Sequence, residues 1–282
     1  MTRRTISTEI TTQGSALHAG GTINMTLSPA PSGTGVVFRR SDLGDIEIPA
    51  LYDRVGETRL GTVIAQDGVS VGVIEHLMAA VAGLEIDDLI VTLDGREPPI
   101  LDGDALSYQK LLEHAGFDDQ PGVCKAIRVL KTVEVFKGDA KAILEPAAAR
   151  MFDFDISFPS AAIGQQTFSL HFTQANFRKD IAPARTFGFM HELDALNKAG
   201  LGRGASLENT LAIDGDTVVN KDLMRFHDEF VRHKILDAIG DLALAGGPII
   251  GRFIGHKSGH AQNNALLRAL FADPENYEVV EL

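Results

Sequence analysis

Two segments of the chain repeat each other, and this internal repeat limits the fold more than any other feature. EHLMAAVAGLEI and RHKILDAIGDLAL share the spacing between a histidine and a later glycine, which is His76 to Gly83 in the first and His233 to Gly240 in the second. Both have apolar residues at the roughly 3.6-residue spacing of a helix. Strand-like runs, DDLIVTLDG and GPIIGRFIG, follow the two predicted helices.

A second pair of segments supports a duplication. GGTINMTLSPA ends at Ala30 and GDAKAILEPA ends at Ala147, and both carry glycine, leucine, proline and alanine at equal spacings. Each is typical of a strand that ends at a proline, where the backbone has no N–H to donate to a neighbouring strand. Because both pairs occur in the same order, the sequence predicts a duplicated α+β protein.

The duplication also predicts a domain organisation. The polar segment FDDQPGV at residues 117–123 contains proline and glycine, so we interpret it as a linker. The second copy is longer, and its excess includes a segment typical of a strand, a helix, a glycine-rich turn and a strand. This insertion is a natural place for specificity, and a purely structural excursion is an equal alternative. We predict a first α+β repeat at 1–120 and a second at 124–282, with the insertion around 184–214.

Composition excludes several classes of protein. With 282 residues, of which 44% are hydrophobic, the chain can bury a substantial core. The formal net charge is −12, and there is no basic stripe with interleaved aromatic residues. We therefore expect no nucleic-acid partner. An anionic small molecule stays open as a ligand, because a few local lysines can bind one despite the overall charge.

The sequence also indicates a compartment. Cys124 is the only cysteine, so the chain forms no internal disulfide, which fits a reducing environment. The first residues, MTRRTISTEITTQ, lack the apolar centre of a signal peptide. No uncharged apolar run reaches the about 18 residues of a membrane-spanning helix. We expect a soluble cytoplasmic protein, and peripheral contact with a membrane surface is left open.

The predicted helix of the second repeat has an unusual polar stripe. His233, Asp237 and Asp241 follow one another at steps of four residues, so they lie on one side of the helix. For His233 and Asp237 alone, a solvated helix face is the more common explanation. The repeated helix, however, carries Glu75 and His76. Two histidines and one aspartate would leave the fourth position of a tetrahedral zinc ion open, with a glutamate nearby as general base.

A third segment, GHKSGHAQNNALL, places glycines around two histidines, a lysine and a serine before another helix. A glycine-rich turn at a helix N-terminus suits an anion or a developing oxyanion. Either His256 or His260 could act as a general acid. Taken alone, this segment is more typical of a plain surface loop.

Five blocks of the sequence together resemble one enzyme family. In chain order they are IEHLMAAVAGLEIDD, EPPILDGDA, ARTFGFM, RFHDEFVRHKILDAIGDL and KSGHAQNNALL, and they extend over nearly the whole chain. They resemble the zinc-dependent UDP-3-O-acyl-N-acetylglucosamine deacetylases, which catalyse the committed step of lipid A biosynthesis. The resemblance implies a duplicated two-layer α+β sandwich with helices packed between two sheets.

The resemblance also implies the metal site and the catalytic residues. His76, His233 and Asp237 match the ligands of one catalytic zinc ion. The remaining catalytic assignments are Glu75 as general base, His260 as general acid, Asp241 as the residue that orients His260, Lys234 as a contact to developing charge, and Thr186 as a hydroxyl near the oxyanion.

The implied substrate is acylated UDP-N-acetylglucosamine, with Phe187 beside the sugar and Lys257 in contact with the diphosphate. Lys137 and Lys141 are further candidates for the diphosphate. The insertion would form a hydrophobic passage for the acyl chain, and we expect a monomer. Two alternatives stay open: a nucleotide-sugar-binding protein without turnover, and a deacetylase for another acylated amino sugar. Iron could replace zinc.

Overall fold

A computed structural model describes residues 1–282 and contains both helices and several sheets. In the first part of the chain the elements are β1 (Thr2–Ile6), β2 (Ile10–Ser15), β3 (Thr22–Pro29), β4 (Val36–Arg40), β5 (Ile46–Pro49), β6 (Val55–Glu57), β7 (Val63–Gln66), β8 (Val69–Val71), α1 (Glu75–Gly83), β9 (Leu89–Leu93), α2 (Leu106–Ala115) and β10 (Phe117–Val123).

The remaining part of the chain contains a second set of elements in a similar order. They are β11 (Lys125–Val129), β12 (Val133–Lys137), β13 (Ala140–Glu145), β14 (Met151–Ser157), β15 (Gln165–His171), α3 (Gln174–Asn176), β16 (Phe187–Phe189), α4 (Leu193–Lys198), β17 (Leu211–Asp214), β18 (Thr217–Val218), α5 (Glu229–Ala243), β19 (Ile249–Ile250), β20 (Arg252–His256), α6 (His260–Ala272) and β21 (Tyr277–Glu281).

Two five-stranded sheets have the same topology. Their strand orders are β2-β3-β9-β4-β5 and β12-β13-β20-β14-β15. In each sheet the central strand, β9 or β20, is antiparallel to the strand on one side and parallel to the strand on the other. The strands alternate between buried and exposed positions, as expected when one sheet face packs against a core. This equivalence agrees with the duplication predicted from the sequence.

The helices pack between the sheets. A single core cluster of 54 buried residues contains side chains from both repeats, including Leu77 of α1 and Ile235 of α5. Both helices are buried on nearly all sides, which explains why polar residues of α5 are not on a solvated face. The predicted class, a duplicated α+β sandwich with helices between two sheets, is confirmed.

The insertion has the predicted order of elements. β16, α4 and β17 follow one another, and β16 pairs in parallel with β17. With β18 they form a three-stranded sheet directly before α5. The first repeat has a three-stranded sheet, β6-β7-β8, at the equivalent position before α1. Both repeats thus have a three-stranded sheet before this helix, although β6-β7-β8 is antiparallel throughout and β16 and β17 are parallel.

The segment interpreted as a linker forms a strand instead. β10, at residues 117–123, pairs with the N-terminal strand β1. The register shifts between Thr2, opposite Val123, and Arg3, opposite Gln120. The intervening proline and glycine lie in this irregularity, where a missing N–H and a positive φ are tolerated. Sequence reasoning missed this strand because its partner lies at the other end of the first repeat.

No helix of the structure is long and apolar enough to cross a membrane.

Helices α1 and α5 cross at a glycine. A Cβ atom on Gly240 would lie 2.0 Å from the carbonyl oxygen of Glu75 and 2.9 Å from its Cα. No side chain fits into that distance, so the crossing requires glycine. It brings the N-terminal turn of α1 against the C-terminal half of α5, beside Asp241 of the polar stripe.

We expect Gly240→Ala to destabilise the protein by about 1–3 kcal/mol, the usual cost of overpacking a filled core. Gly56→Ala is the matched control, because Gly56 is exposed and a Cβ there would meet only Ala65, at 3.7 Å. Denaturant unfolding of both variants measures the difference. Alanine ordinarily favours a helix over glycine, so a Gly240→Ala protein at least as stable as wild type would contradict the close crossing.

Candidate active site

The helix crossing brings together three side chains that can bind a metal ion. His76 lies in the first turn of α1, and His233 and Asp237 lie one turn apart on α5. One ligand atom from each lies within 4.8 Å of the others, and all three residues are buried. Asp237 Oδ1 is 3.6 Å from His76 Nε2 and 3.3 Å from His233 Nε2. The two imidazole rings stand nearly perpendicular, with their centroids 4.9 Å apart.

The orientation of the His233 ring is fixed by a hydrogen bond at the nitrogen that does not face Asp237. Its Nδ1 atom donates a hydrogen bond to the carbonyl oxygen of Ala184, at 3.1 Å. This bond leaves the Nε2 lone pair directed towards Asp237, the arrangement by which proteins orient metal-binding histidines. Burial also lowers the pKa of His233 to about 3, so the ring is neutral at physiological pH. His76 differs, because its Nδ1 atom is buried and has no hydrogen-bond partner.

The chemistry of these atoms suits a cation. Burial acts to raise the pKa of Asp237, but the charge of the neighbouring Lys234 helps to hold it well below its ordinary value. An ionised carboxylate therefore faces a neutral imidazole, and both groups offer electron pairs to the same point. A metal ion at that point would be bound by these two groups and by His76. The second carboxylate oxygen, Oδ2, accepts a hydrogen bond from Lys234 Nζ at 2.6 Å.

Glu75 is a buried carboxyl beside the candidate metal-binding residues. Its Oε2 atom accepts a hydrogen bond from the backbone N–H of Thr62 at 3.0 Å. Burial raises the pKa of Glu75, although His260 and His76 oppose the rise. A carboxylate with a raised pKa is a stronger proton acceptor than an exposed one, which suits a general base.

His260 is the first residue of α6 and is held by Asp241. Its Nδ1 atom donates to Asp241 Oδ2 at 2.9 Å, and Asn263 Nδ2 donates to the same oxygen at 2.8 Å. Burial alone would lower the pKa of His260, but the carboxylates of Asp241 and Glu75 outweigh it and raise the pKa to about 9. The ring is therefore cationic near neutral pH and carries a proton on both nitrogens.

A proton acceptor and a proton donor thus face each other across the site. His260 Nε2 lies 3.9 Å from Glu75 Oε1. The structure also distinguishes the two histidines of the glycine-rich turn by their partners. His256 Nδ1 is bonded to Asp155 Oδ1 at 2.5 Å. His260 is therefore the one that joins the cluster. This arrangement can remove a proton from a nucleophile and deliver another to a leaving group.

The ARTFGFM segment lies directly beside the candidate metal-binding residues. Ala184 holds His233, and Thr186 follows two residues later with a half-buried side chain. The ring of Phe187 packs edge-on against Phe230, with centroids 5.0 Å apart, and stands 6.2 Å from the ring of His233. The two residues predicted near the oxyanion and the sugar are therefore close to the proposed ligands in the fold.

Lys257 lies in the turn before α6. Its Nζ atom donates to the exposed Asp139 at 2.6 Å, so it is not within the buried cluster. Lys141 is a neighbour, because it pairs with His256 between β13 and β20. Lys137 lies at the end of β12, opposite Ala140. Lys137 and Lys141 thus lie on neighbouring strands of the second sheet, and Lys257 directly follows its central strand.

Sequence reasoning missed two residues that support the site. Thr62 bonds Glu75 through its backbone and Asp241 through its hydroxyl, and Asn263 bonds Asp241. Asn263 follows His260 by three residues on α6, so helical spacing could have suggested it. Thr62 has no such local signal.

Cavity size does not identify this site. A cavity of about 710 Å³ lies elsewhere along the same helices, next to Met78 and Val81 of α1 and Ile239 and Leu242 of α5. None of the predicted catalytic or metal-binding residues lines it. The site is therefore defined by its converging polar side chains.

A duplicated α+β fold with three convergent candidate metal ligands and an opposed proton acceptor and donor is typical of a metal-dependent hydrolase. The chain belongs to the UDP-3-O-acyl N-acetylglycosamine deacetylase family, a family of metalloenzymes whose model matches residues 3–272. The UDP-3-O-acyl-N-acetylglucosamine deacetylase of Myxococcus xanthus (strain DK1622) is 46% identical over 279 residues, which are 99% of this chain and 89% of the relative. The family resemblance noted in the sequence is confirmed.

We expect His233→Ala to lose the bound metal ion together with activity, because it removes one of three ligands. His256→Ala is the matched control, since that histidine is bonded to Asp155 outside the cluster. Elemental analysis of both purified variants gives the metal content per chain. Full occupancy in His233→Ala would show that this histidine is not a ligand.

Proposed function

We propose that the protein hydrolyses the acetamide of UDP-3-O-[(R)-3-hydroxyacyl]-N-acetylglucosamine in a zinc-dependent reaction, releasing acetate in the committed step of lipid A biosynthesis. The observation that carries this proposal is the opposed pair of Glu75 and His260 beside the buried cluster of His76, His233 and Asp237. Family membership and the name of the Myxococcus xanthus relative support the substrate.

Zinc is the proposed metal, with one ion per chain. Two imidazoles and one carboxylate are a typical ligand set of catalytic zinc sites, which keep a fourth position for the reaction. When bound there, zinc supplies Lewis acidity towards the acetamide carbonyl and the attacking water. Imidazole also binds Fe²⁺, so iron is the alternative.

The protein groups then move the protons. Glu75 accepts a proton from the attacking water as the water oxygen bonds to the carbonyl carbon. His260 donates its Nε2 proton to the amide nitrogen as the carbon–nitrogen bond breaks, which leaves acetate and a free amine. Asp241 keeps His260 oriented and cationic through the Nδ1 hydrogen bond. An amide needs this second proton because its nitrogen is a poor leaving group.

Two further residues are proposed to stabilise negative charge that develops on the carbonyl oxygen. Lys234 has a partly buried side chain with its ammonium next to Asp237. Although burial acts to lower the pKa of Lys234, Asp237 raises it, so the group stays charged. Thr186 offers a hydroxyl in the segment that also holds His233. Charges and donors fixed before the reaction stabilise such a transition state most effectively.

Substrate recognition is proposed for the second repeat. Phe187 would lie beside the sugar, and Lys257 would bind the diphosphate once its ion pair with the exposed Asp139 opens. The insertion at Thr186–Asp214 would receive the acyl chain. In support, the rings of Phe187 and Phe189 both contact Phe158 and form an aromatic cluster on β16.

We also propose that the chain acts as a monomer, because both halves of the site come from the same chain. A cytoplasmic location is proposed from the single, unpaired Cys124. Peripheral membrane contact is left as a proposal for the face that would receive the acyl chain.

Acetate release from the acylated nucleotide sugar, compared with unacylated UDP-N-acetylglucosamine, tests the proposed function. We expect turnover of the acylated compound and little of the other. Glu75→Gln keeps the shape and the metal ligands but cannot accept a proton, so we expect turnover about 10²–10⁴-fold lower with metal content unchanged.

The alternatives give different results. Equal turnover of both compounds would indicate a deacetylase for other amino sugars. Metal-loaded wild-type protein that binds the substrate without turnover would indicate a binding protein. Wild-type rates in Glu75→Gln would remove Glu75 from the role of base.

A further inference from the structure

We propose that Thr62 is a positioning residue that holds the general base and the partner of the general acid in register across the two repeats. The inference rests on the proposed function, because it acts through Glu75 and Asp241. Thr62 precedes β7 in the first repeat, whereas Asp241 belongs to α5 of the second. No other side chain hydrogen-bonds to one of these carboxylates while its backbone hydrogen-bonds to the other.

Thr62 uses two donors on two different carboxyl groups. Its backbone N–H donates to Glu75 Oε2 at 3.0 Å, and its hydroxyl donates to Asp241 Oδ1 at 2.5 Å. The residue is 1% exposed, so water does not compete for either bond. Hydrogen bonds to charged acceptors are stronger and more directional than neutral ones. Movement of this residue would therefore disturb base and acid together.

The backbone before Thr62 brings it to this place. Leu60 has φ 64°, a left-handed conformation that is unusual for a residue other than glycine. At Gly61, a Cβ atom would lie only 3.1 Å from Glu75 Oε1. The carbonyl oxygen of Leu60 is bonded to His18 Nε2 at 2.9 Å. A strained turn that is anchored by a distant histidine and pressed against the base is consistent with a functional role.

The Thr62 hydroxyl determines which oxygen of Asp241 accepts the hydrogen bond from His260. Oδ1 accepts from Thr62, and Oδ2 accepts from His260 Nδ1 and from Asn263 Nδ2. With Oδ1 occupied, the carboxylate cannot rotate without losing a bond, so Oδ2 stays in the plane that His260 needs. The Nε2 proton of His260 then points into the site, where the leaving amine is formed.

Thr62→Val and Thr62→Ser separate the hydroxyl from the shape of the side chain. Valine keeps the shape and the backbone N–H but removes the donor, and serine keeps the donor. We expect Thr62→Val to lower kcat about 10- to 100-fold, as for a lost bond to a buried charge, with KM within about threefold and metal content unchanged. Thr62→Ser should stay within about threefold of wild type. If Thr62→Val does not fold, Thr62→Ala replaces it.

A second readout does not depend on turnover. In protein labelled with ¹⁵N-histidine and loaded with zinc, the Nδ1 proton of His260 should give the same NMR signal in wild type and Thr62→Ser. It should shift or broaden in Thr62→Val, because its acceptor is no longer held. If the wild-type protein shows no turnover, the proposed function is wrong. The NMR comparison still tests the role of Thr62 in that case, because it does not depend on turnover.

Three results would overturn the role of Thr62. One is unchanged kcat in Thr62→Val together with an unchanged His260 signal. Another is equal loss of kcat in the valine and serine variants, which would indicate packing rather than the hydroxyl. The third is loss of metal from Thr62→Val, which would place its effect on the ligands.

Discussion

The site depends on the close crossing of two helices at Gly240. Because that residue has no side chain, the backbone of α5 touches the first turn of α1 at Glu75. One repeat then contributes the proposed base and one proposed metal ligand, and the other contributes the remaining two proposed ligands. Neither repeat holds a complete set. A duplication whose copies pack through equivalent helices thus creates a site at their interface, and each copy can diverge on its own side.

The crossing also sets the electrostatics. It buries three carboxylates in one region. Asp237 is paired with Lys234. Asp241 is paired with His260, and Glu75 faces the ring of the same histidine. Buried charges are costly unless they are paired and hydrogen-bonded. The pairing keeps Asp237 ionised for a metal and His260 cationic for proton donation, while burial raises the pKa of Glu75. One arrangement of charge therefore produces three different protonation behaviours.

The structural features that depend on local periodicity could be predicted from the sequence. The repeated helices and strands have regular spacing, so their existence, their order and the candidate ligand His233 could be found from the sequence. The resemblance of five blocks supplied the remaining roles. Contacts between distant segments could not be found, such as β10 with β1 or Thr62 with Asp241. His256 and His260 lie in one turn with similar neighbours, and only the position of Asp241 in the fold distinguishes them.

A zinc-dependent site between the two repeats can be tested by measuring bound zinc and acetate release in the same samples. Chelator-treated protein would be titrated with zinc, and bound zinc and acetate release from the acylated substrate would be measured at each step. The two halves of the site predict that both quantities rise together and saturate at one zinc per chain. Acetate release that persists without bound metal, or zinc that saturates one site per chain without any acetate release, would contradict the account.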